Sequence, residues 1–193
     1  MRIAIYGAAS TRIDNEYVKA VEKLGAELAA RGHSIVFGAG GNGLMGAAAR
    51  GVKSGGGHII GVIPDFFKNE IIEEIYDDCD ELIFTETMRE RKAIMEEKAD
   101  AFIIVPGGIG TFEEFFEVLT LKQLGRHDKP IAVYNINGFY DNMEKMMYVC
   151  MNEKFIRSLC RTLYMVFTDE QEMFSYIERT TPNNLTVHDL KDG

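Results

Sequence analysis

The sequence has no tryptophan, no long apolar run and no excess of positive charge. No stretch approaches the roughly 20 apolar residues that a membrane span needs, so a membrane-embedded helical protein is not expected. Lysine and arginine number 21 against 30 aspartates and glutamates, giving a formal net charge of -9. A general nucleic-acid binder carries a basic surface, so this balance argues against one. It does not argue against a phosphate ligand, because backbone N–H groups hold phosphate without net positive charge. Cysteine is scarce: Cys79, Cys150 and Cys160 are odd in number and lack metal-ligand spacing. That pattern predicts reduced thiols, a cytoplasmic setting and no metal site. Internal repeats and low-complexity linkers are missing too. Met1 to Tyr6 lack the basic, apolar and small-residue regions of a signal peptide and read as a first strand.

What is present is enough hydrophobic sequence, 46% of 193 residues, for one well-buried core. Short apolar runs fall at 3–6, 34–37, 58–63, 82–84, 101–105, 131–134 and 163–167. They are rich in Ile, Val and Phe, as strands buried on both faces are. Between them, 15–31, 88–98, 111–124, 139–152 and 169–178 show helical periodicity. This alternation predicts an α/β fold: a parallel sheet of about seven strands with helices on both faces. One domain over 1–180 is expected, followed by a polar, frayed tail over 181–193. Ligands of such folds sit at the carboxyl ends of strands, so the loops after strands carry the search for a site.

The strongest local signal is Val105-Pro106-Gly107-Gly108-Ile109-Gly110-Thr111-Phe112-Glu113-Glu114. It follows an apolar run and opens a helix. Its glycines let the backbone turn tightly and approach a ligand. Thr111 and Glu114 have the spacing of a capping box. The first N–H groups and the helix dipole make the loop an anion site. The plain alternative is a tight turn with an ordinary cap. Without a Gly-Lys-Ser/Thr ending, it is not a nucleoside-triphosphate loop.

A second loop, Gly38 to Gly46, contains a Gly-x-Gly-x-x-Gly match. The dinucleotide fingerprint normally follows the first strand, and this loop follows the second. Asp65 has nearly the spacing of the fingerprint's acidic partner, but Pro64 before it suggests a turn. Gly55-Gly56-Gly57 reads as a helix-ending turn. Ala8-Ala9-Ser10-Thr11, after the first strand, is small enough to admit a phosphate or a base, or simply caps the next helix.

Met88, Arg91, Lys92 and Met95 are spaced to share one helical face. Such a face can present cations to a ligand; charge patterning alone equally fits a solvated helix. Glu113, Glu114 and Glu117 fall in the first turns of the helix after the Pro-Gly-Gly loop, where acids favour the helix dipole. A carboxylate there can also stabilise a cationic sugar ring and orient or deprotonate a water. The four histidines are scattered and suit core or surface roles.

Pro106-Gly107-Gly108-Ile109-Gly110-Thr111-Phe112-Glu113-Glu114 and Met88-x-x-Arg91-Lys92-x-x-Met95 together resemble the two hallmarks of the Lonely Guy (LOG) family. These are cytokinin riboside 5′-monophosphate phosphoribohydrolases, many described as possible lysine decarboxylases. Gly43-Leu44-Met45-Gly46, Gly61-Val62-Ile63-Pro64 and Gln123-Leu124-Gly125 fall in the family order, and the resemblance covers roughly residues 1 to 157. It implies a Rossmann-like, nucleotide-binding catalytic domain. It implies a homodimer with active sites near the interface, and no metal or organic cofactor. By the same resemblance, Arg91 and Glu114 are the catalytic pair. Gly107, Gly108, Gly110 and Thr111 hold the 5′-phosphate, and Met88, Arg89 and Lys92 border the nucleotide. The implied substrate is adenosine monophosphate or an N6-modified relative, cleaved to free base and ribose 5-phosphate.

The chain departs from the family around the expected pocket. Tyr6-Gly7-Ala8-Ala9 replaces Cys-Gly-Ser-Ser, Gly38-Ala39-Gly40 replaces Gly-Gly-Gly, and Leu121 stands where tryptophan is common. These changes bear on the preferred base. The rival expectation is a non-catalytic nucleotide or molybdenum-cofactor carrier, which has no need of a carboxylate beside the sugar. Lysine decarboxylation needs an electron sink held by a Schiff-base lysine. Lys92 is the one lysine in a ligand-like motif, and phosphate binding already accounts for that motif.

Overall fold

A computed structural model describes residues 1–70, 74–180 and 187–191. The strands are β1 (Arg2–Tyr6), β2 (Ser34–Phe37), β3 (Ile59–Pro64), β4 (Glu81–Thr85), β5 (Ala101–Ile104), β6 (Ile131–Tyr134) and β7 (Met165–Phe167). The helices are α1 (Asn15–Ala30), α2 (Gly43–Ser54), α3 (Asp65–Glu70), α4 (Met88–Lys98), α5 (Ile109–Gln123), α6 (Asp141–Asn152), α7 (Glu170–Arg179) and α8 (Val187–Lys191). The seven strands form one sheet in the order β4-β3-β2-β1-β5-β6-β7, parallel throughout.

Alternation along the strands builds two cores. In β1, Ile3 and Ile5 face the layer made by α1, α2 and α7, while Ala4 and Tyr6 face the layer made by α4, α5 and α6. β3, β5 and β6 are buried along their whole length. Each fully buried Ile, Val or Phe contributes about 1.5–3 kcal/mol. Asp14 caps α1 by accepting from the Glu16 N–H, and Asp169 caps α7 by accepting from the Glu172 N–H. α1 and α2 press together through small residues. A Cβ on Gly51 would lie 2.0 Å from the Glu22 carbonyl oxygen, and one on Gly25 would lie 2.3 Å from that of Ala48.

The chain runs outward from β1 to β4, then returns to place β5 beside β1 and runs outward again to β7. The loops after β1 and β5 therefore diverge, and the crevice between them is where ligands of such sheets sit.

The expected fold class is what the structure shows, with differences in detail. α2 begins at Gly43, inside a stretch read as a loop. Its glycines are poor helix formers and read as loop, yet residues 44–49, 51 and 52 are buried. Pro64 ends β3 and Asp65, exposed, opens α3 directly, with no turn between them. The last strand starts at Met165, because Leu163 and Tyr164 turn into the core. Gly55 caps α2 and Gly56 adopts φ +73°, the helix-ending turn the glycines implied. In the stretch read as a frayed tail, residues 187–191 form α8, and Leu190 is buried against the layer of α5. The other tail residues lie outside those described.

Candidate functional site

A cleft of about 410 Å³ opens at the switch point. Gly7, Ala8, Ala9 and Ser10 after β1 form one wall, and Gly108, Gly110 and Thr111 at the start of α5 form another. Met45, Phe67, Met88, Arg91 and Glu114 complete it. Six residues singled out from the sequence (Met88, Arg91, Gly108, Gly110, Thr111 and Glu114) thus converge from two separate motifs.

α5 starts at Ile109, after Gly108 in extended backbone, with no side-chain cap. The expected capping box is therefore corrected: Thr111 lies inside the first turn, only 4% exposed. The glycines before it supply no capping oxygen, so the N–H groups of the first turn stay available at the cleft wall. Gly107 backs Thr111: a Cβ on it would fall 2.1 Å from Thr111 Oγ1. It borders a second, apolar recess of about 200 Å³ with Ile13, Tyr17 and Phe139, rather than the main cleft.

α4 supplies Arg91. Thr87 caps the helix by accepting from the Glu90 N–H at 3.1 Å, and Glu90 reaches back to the Glu86 N–H at 2.8 Å. One turn in, Arg91 is 6% exposed. Its Nε donates to the Val62 carbonyl at 3.1 Å and its Nη2 to the Gly38 carbonyl at 3.3 Å. Its Nη1 lies 3.8 Å from Glu114 Oε1. The Phe67 ring stands 6.0 Å from the guanidinium carbon. Burial pushes the Glu114 carboxyl up to about 7; Arg91 opposes the rise and Glu113 adds to it. A carboxyl group with that affinity exchanges protons near neutral pH.

Lys92 and Arg89 do not line the cleft. Lys92 pairs with Glu113 and Glu117, pinning α4 to α5. Arg89 is exposed on the outer side of α4. Phe67 and Met45 were missed as wall residues. Met45 had a signal, the Gly43-Leu44-Met45-Gly46 run. Phe67 had none, since α3 reaches the cleft only through the tertiary fold.

A doubly wound parallel sheet with an uncapped helix N-terminus and a buried carboxylate–guanidinium pair at its switch point defines a Rossmann-like protein with a ligand cleft. More particularly, the chain belongs to the LOG family. The family model described as "Possible lysine decarboxylase" matches residues 45–177. The cytokinin riboside 5′-monophosphate phosphoribohydrolase LOG2 of Arabidopsis thaliana is 36% identical over 184 residues, 95% of this chain and 85% of that protein. The cytokinin riboside 5′-monophosphate phosphoribohydrolase LOG of Oryza sativa subsp. japonica is 38% identical over 182 residues, 94% of this chain and 74% of that protein. Among solved structures, the molybdenum cofactor carrier protein of Chlamydomonas reinhardtii superposes with a TM-score of 0.71 at 23% identity, covering 92% of this chain and 96% of that one. That likeness is one of fold.

Proposed function

We propose that the protein hydrolyses the N-glycosidic bond of a nucleoside 5′-monophosphate, with adenine or an N6-modified adenine as the base. The products are the free base and ribose 5-phosphate. The observation that carries this reading is the buried Glu114–Arg91 pair at the floor of a cleft whose wall is an uncapped helix N-terminus. The likeness to the phosphoribohydrolases of Arabidopsis and rice supports it.

In this scheme the first turn of α5, from Gly108 to Thr111, receives the 5′-phosphate on its N–H groups. Gly107 shapes that turn from behind. Leaving of the base builds positive charge on the ribose, as in glycoside hydrolysis. The Glu114 carboxylate stabilises that charge and deprotonates the attacking water. Arg91 fixes the carboxylate and the sugar hydroxyls with its planar fork. Met88 borders the nucleotide, with Arg89 and Lys92 outside the cleft in the single chain. The scheme calls on no metal and no organic cofactor. Amino-acid decarboxylation has less support: it needs an electron sink held by a lysine, and among the described residues the cleft lining includes none. The protein acts in the cytoplasm as a homodimer, in keeping with its free thiols and its family. Among the described residues, no helix is long and apolar enough to cross a membrane.

The test is release of free base from adenosine monophosphate and from isopentenyladenosine monophosphate, with wild type beside Glu114→Ala and Arg91→Ala. Folded variants should lose activity by about a hundredfold or more. A wild type that binds the nucleotide and releases nothing would sink the enzyme reading and leave a carrier.

A further inference from the structure

We propose that Gly38 is a positioning residue for Arg91, and that the absence of a side chain there is what allows the catalytic geometry. The proposal rests on the hydrolase reading above for its kinetic consequence, while the contact behind it stands on the structure alone.

Gly38 follows β2 directly and is buried. A Cβ built on it would lie 1.6 Å from Arg91 Nη2 and 2.7 Å from Cζ. Gly38 has no left-handed φ. An alanine would therefore meet the guanidinium itself rather than a backbone restriction. The guanidinium has little room to yield. It is closed in by the carbonyl of Val62 on β3, by Phe67 and by Glu114. Two carbonyls, one within β3 and one from the residue directly after β2, thus set its plane: Val62 takes Nε and Gly38 takes Nη2. That leaves Nη1 turned toward Glu114. The sheet anchors both acceptors, so the fork is pre-organised before substrate arrives. A methyl group at position 38 breaks this arrangement at the nitrogen that the strand end holds.

The experiment is a double-mutant cycle of Gly38→Ala and Arg91→Ala, read by base release and by thermal unfolding. In the wild-type background, Gly38→Ala should lower kcat by about a hundredfold with KM within about threefold, because misplacing one group costs that much while the phosphate turn is untouched. In the Arg91→Ala background the same substitution should cost less than about twofold, since the methyl then occupies vacated space. A second readout is the pH profile. Displacing the cation from Glu114 favours the neutral acid, so the midpoint of the rate profile should move to higher pH in Gly38→Ala. A packing defect alone would leave that midpoint in place.

Equal losses in both backgrounds, or a Gly38→Ala kcat near wild type, would overturn the proposal. Should Gly38→Ala fail to fold, the double variant is expected to fold; its failure would overturn the proposal as well. If the wild type releases no base, the hydrolase reading falls separately. The thermal cycle then still decides the contact, with a lower Tm expected for Gly38→Ala only when Arg91 is present.

Discussion

Burial holds the Glu114 carboxyl at about 7, well above the usual carboxylate range. The folded state therefore binds its proton more tightly than the unfolded chain does. Stability falls as pH rises from the unfolded carboxylate value toward 7, and it levels off above that. Keeping the charged form in this site costs up to about 3 kcal/mol above neutral pH. Glu114→Gln removes the charge and keeps the shape. It should raise Tm relative to wild type, by a margin that is small near pH 5 and largest near pH 8, while kcat drops by about a thousandfold. Thermal unfolding across that pH range checks it; a constant margin would contradict the buried-carboxyl account. Glu96 is also pushed up to about 7, by burial first and Glu117 second, but it is present in both proteins and cancels in the difference. In wild type, base release should rise with pH and level off above about 7 as Glu114 becomes the base. At this scale motif spacing singled out the glycine turn before α5 and the acids after it, while the choice of Arg91 and Glu114 as the pair came from the family resemblance. Neither could show that Lys92 turns away to Glu113 and Glu117, since that choice depends on how α4 meets α5.

Elements position these groups, and the weakest-looking one matters most. α2 opens on glycines and alanines, with glycine a poor helix former, yet it packs closely on α1 and starts beside the cleft. Its Leu44 N–H donates to the Ala8 carbonyl at 2.7 Å, which fixes the wall after β1. Gly51 permits this packing: its missing Cβ would collide with the Glu22 carbonyl, a backbone atom that has no rotamer to change. Gly51→Ala should therefore destabilise by about 3 kcal/mol, even though alanine is the better helix former by about 1 kcal/mol. Urea unfolding measures the difference. A neutral or stabilised variant would mean that α1 and α2 slide apart without penalty. The strands, by contrast, were legible as short Ile-, Val- and Phe-rich runs, clearest in β3, β5 and β6, which are buried along their whole length, while the edge strands β4 and β7 are partly exposed. Boundaries moved where a local turn intervened, as at α6, which starts at Asp141 rather than 139, after the turn Ile136–Gly138 in which Asn137 has φ 52°.

At the scale of the whole molecule, alternation of strands and helices announced a parallel sheet, but strand order was not written in any one segment. The switch point exists because β5 returns to β1 rather than continuing past β4, a consequence of which faces cover which. A partner chain is further still from the sequence, and the homodimer proposed here rests on family likeness. Ile109, 91% exposed at the first residue of α5 between two glycines that line the cleft, is where that proposal can be tested. A single exposed apolar residue is ordinary on a surface. One at the mouth of a binding cleft is a natural point for a second copy to cover, which would close the site against water. If that is its role, the wild type should sediment at twice the 21.7 kDa chain mass. Ile109→Gln keeps the length of the side chain and adds no charge beside the phosphate turn. It should weaken association by about tenfold, as loss of a central interface residue does. Specific activity of the variant should then fall on dilution in step with the dimer fraction. Wild type that sediments as a single chain at tens of micromolar, or activity that ignores dilution, would show that each cleft works alone.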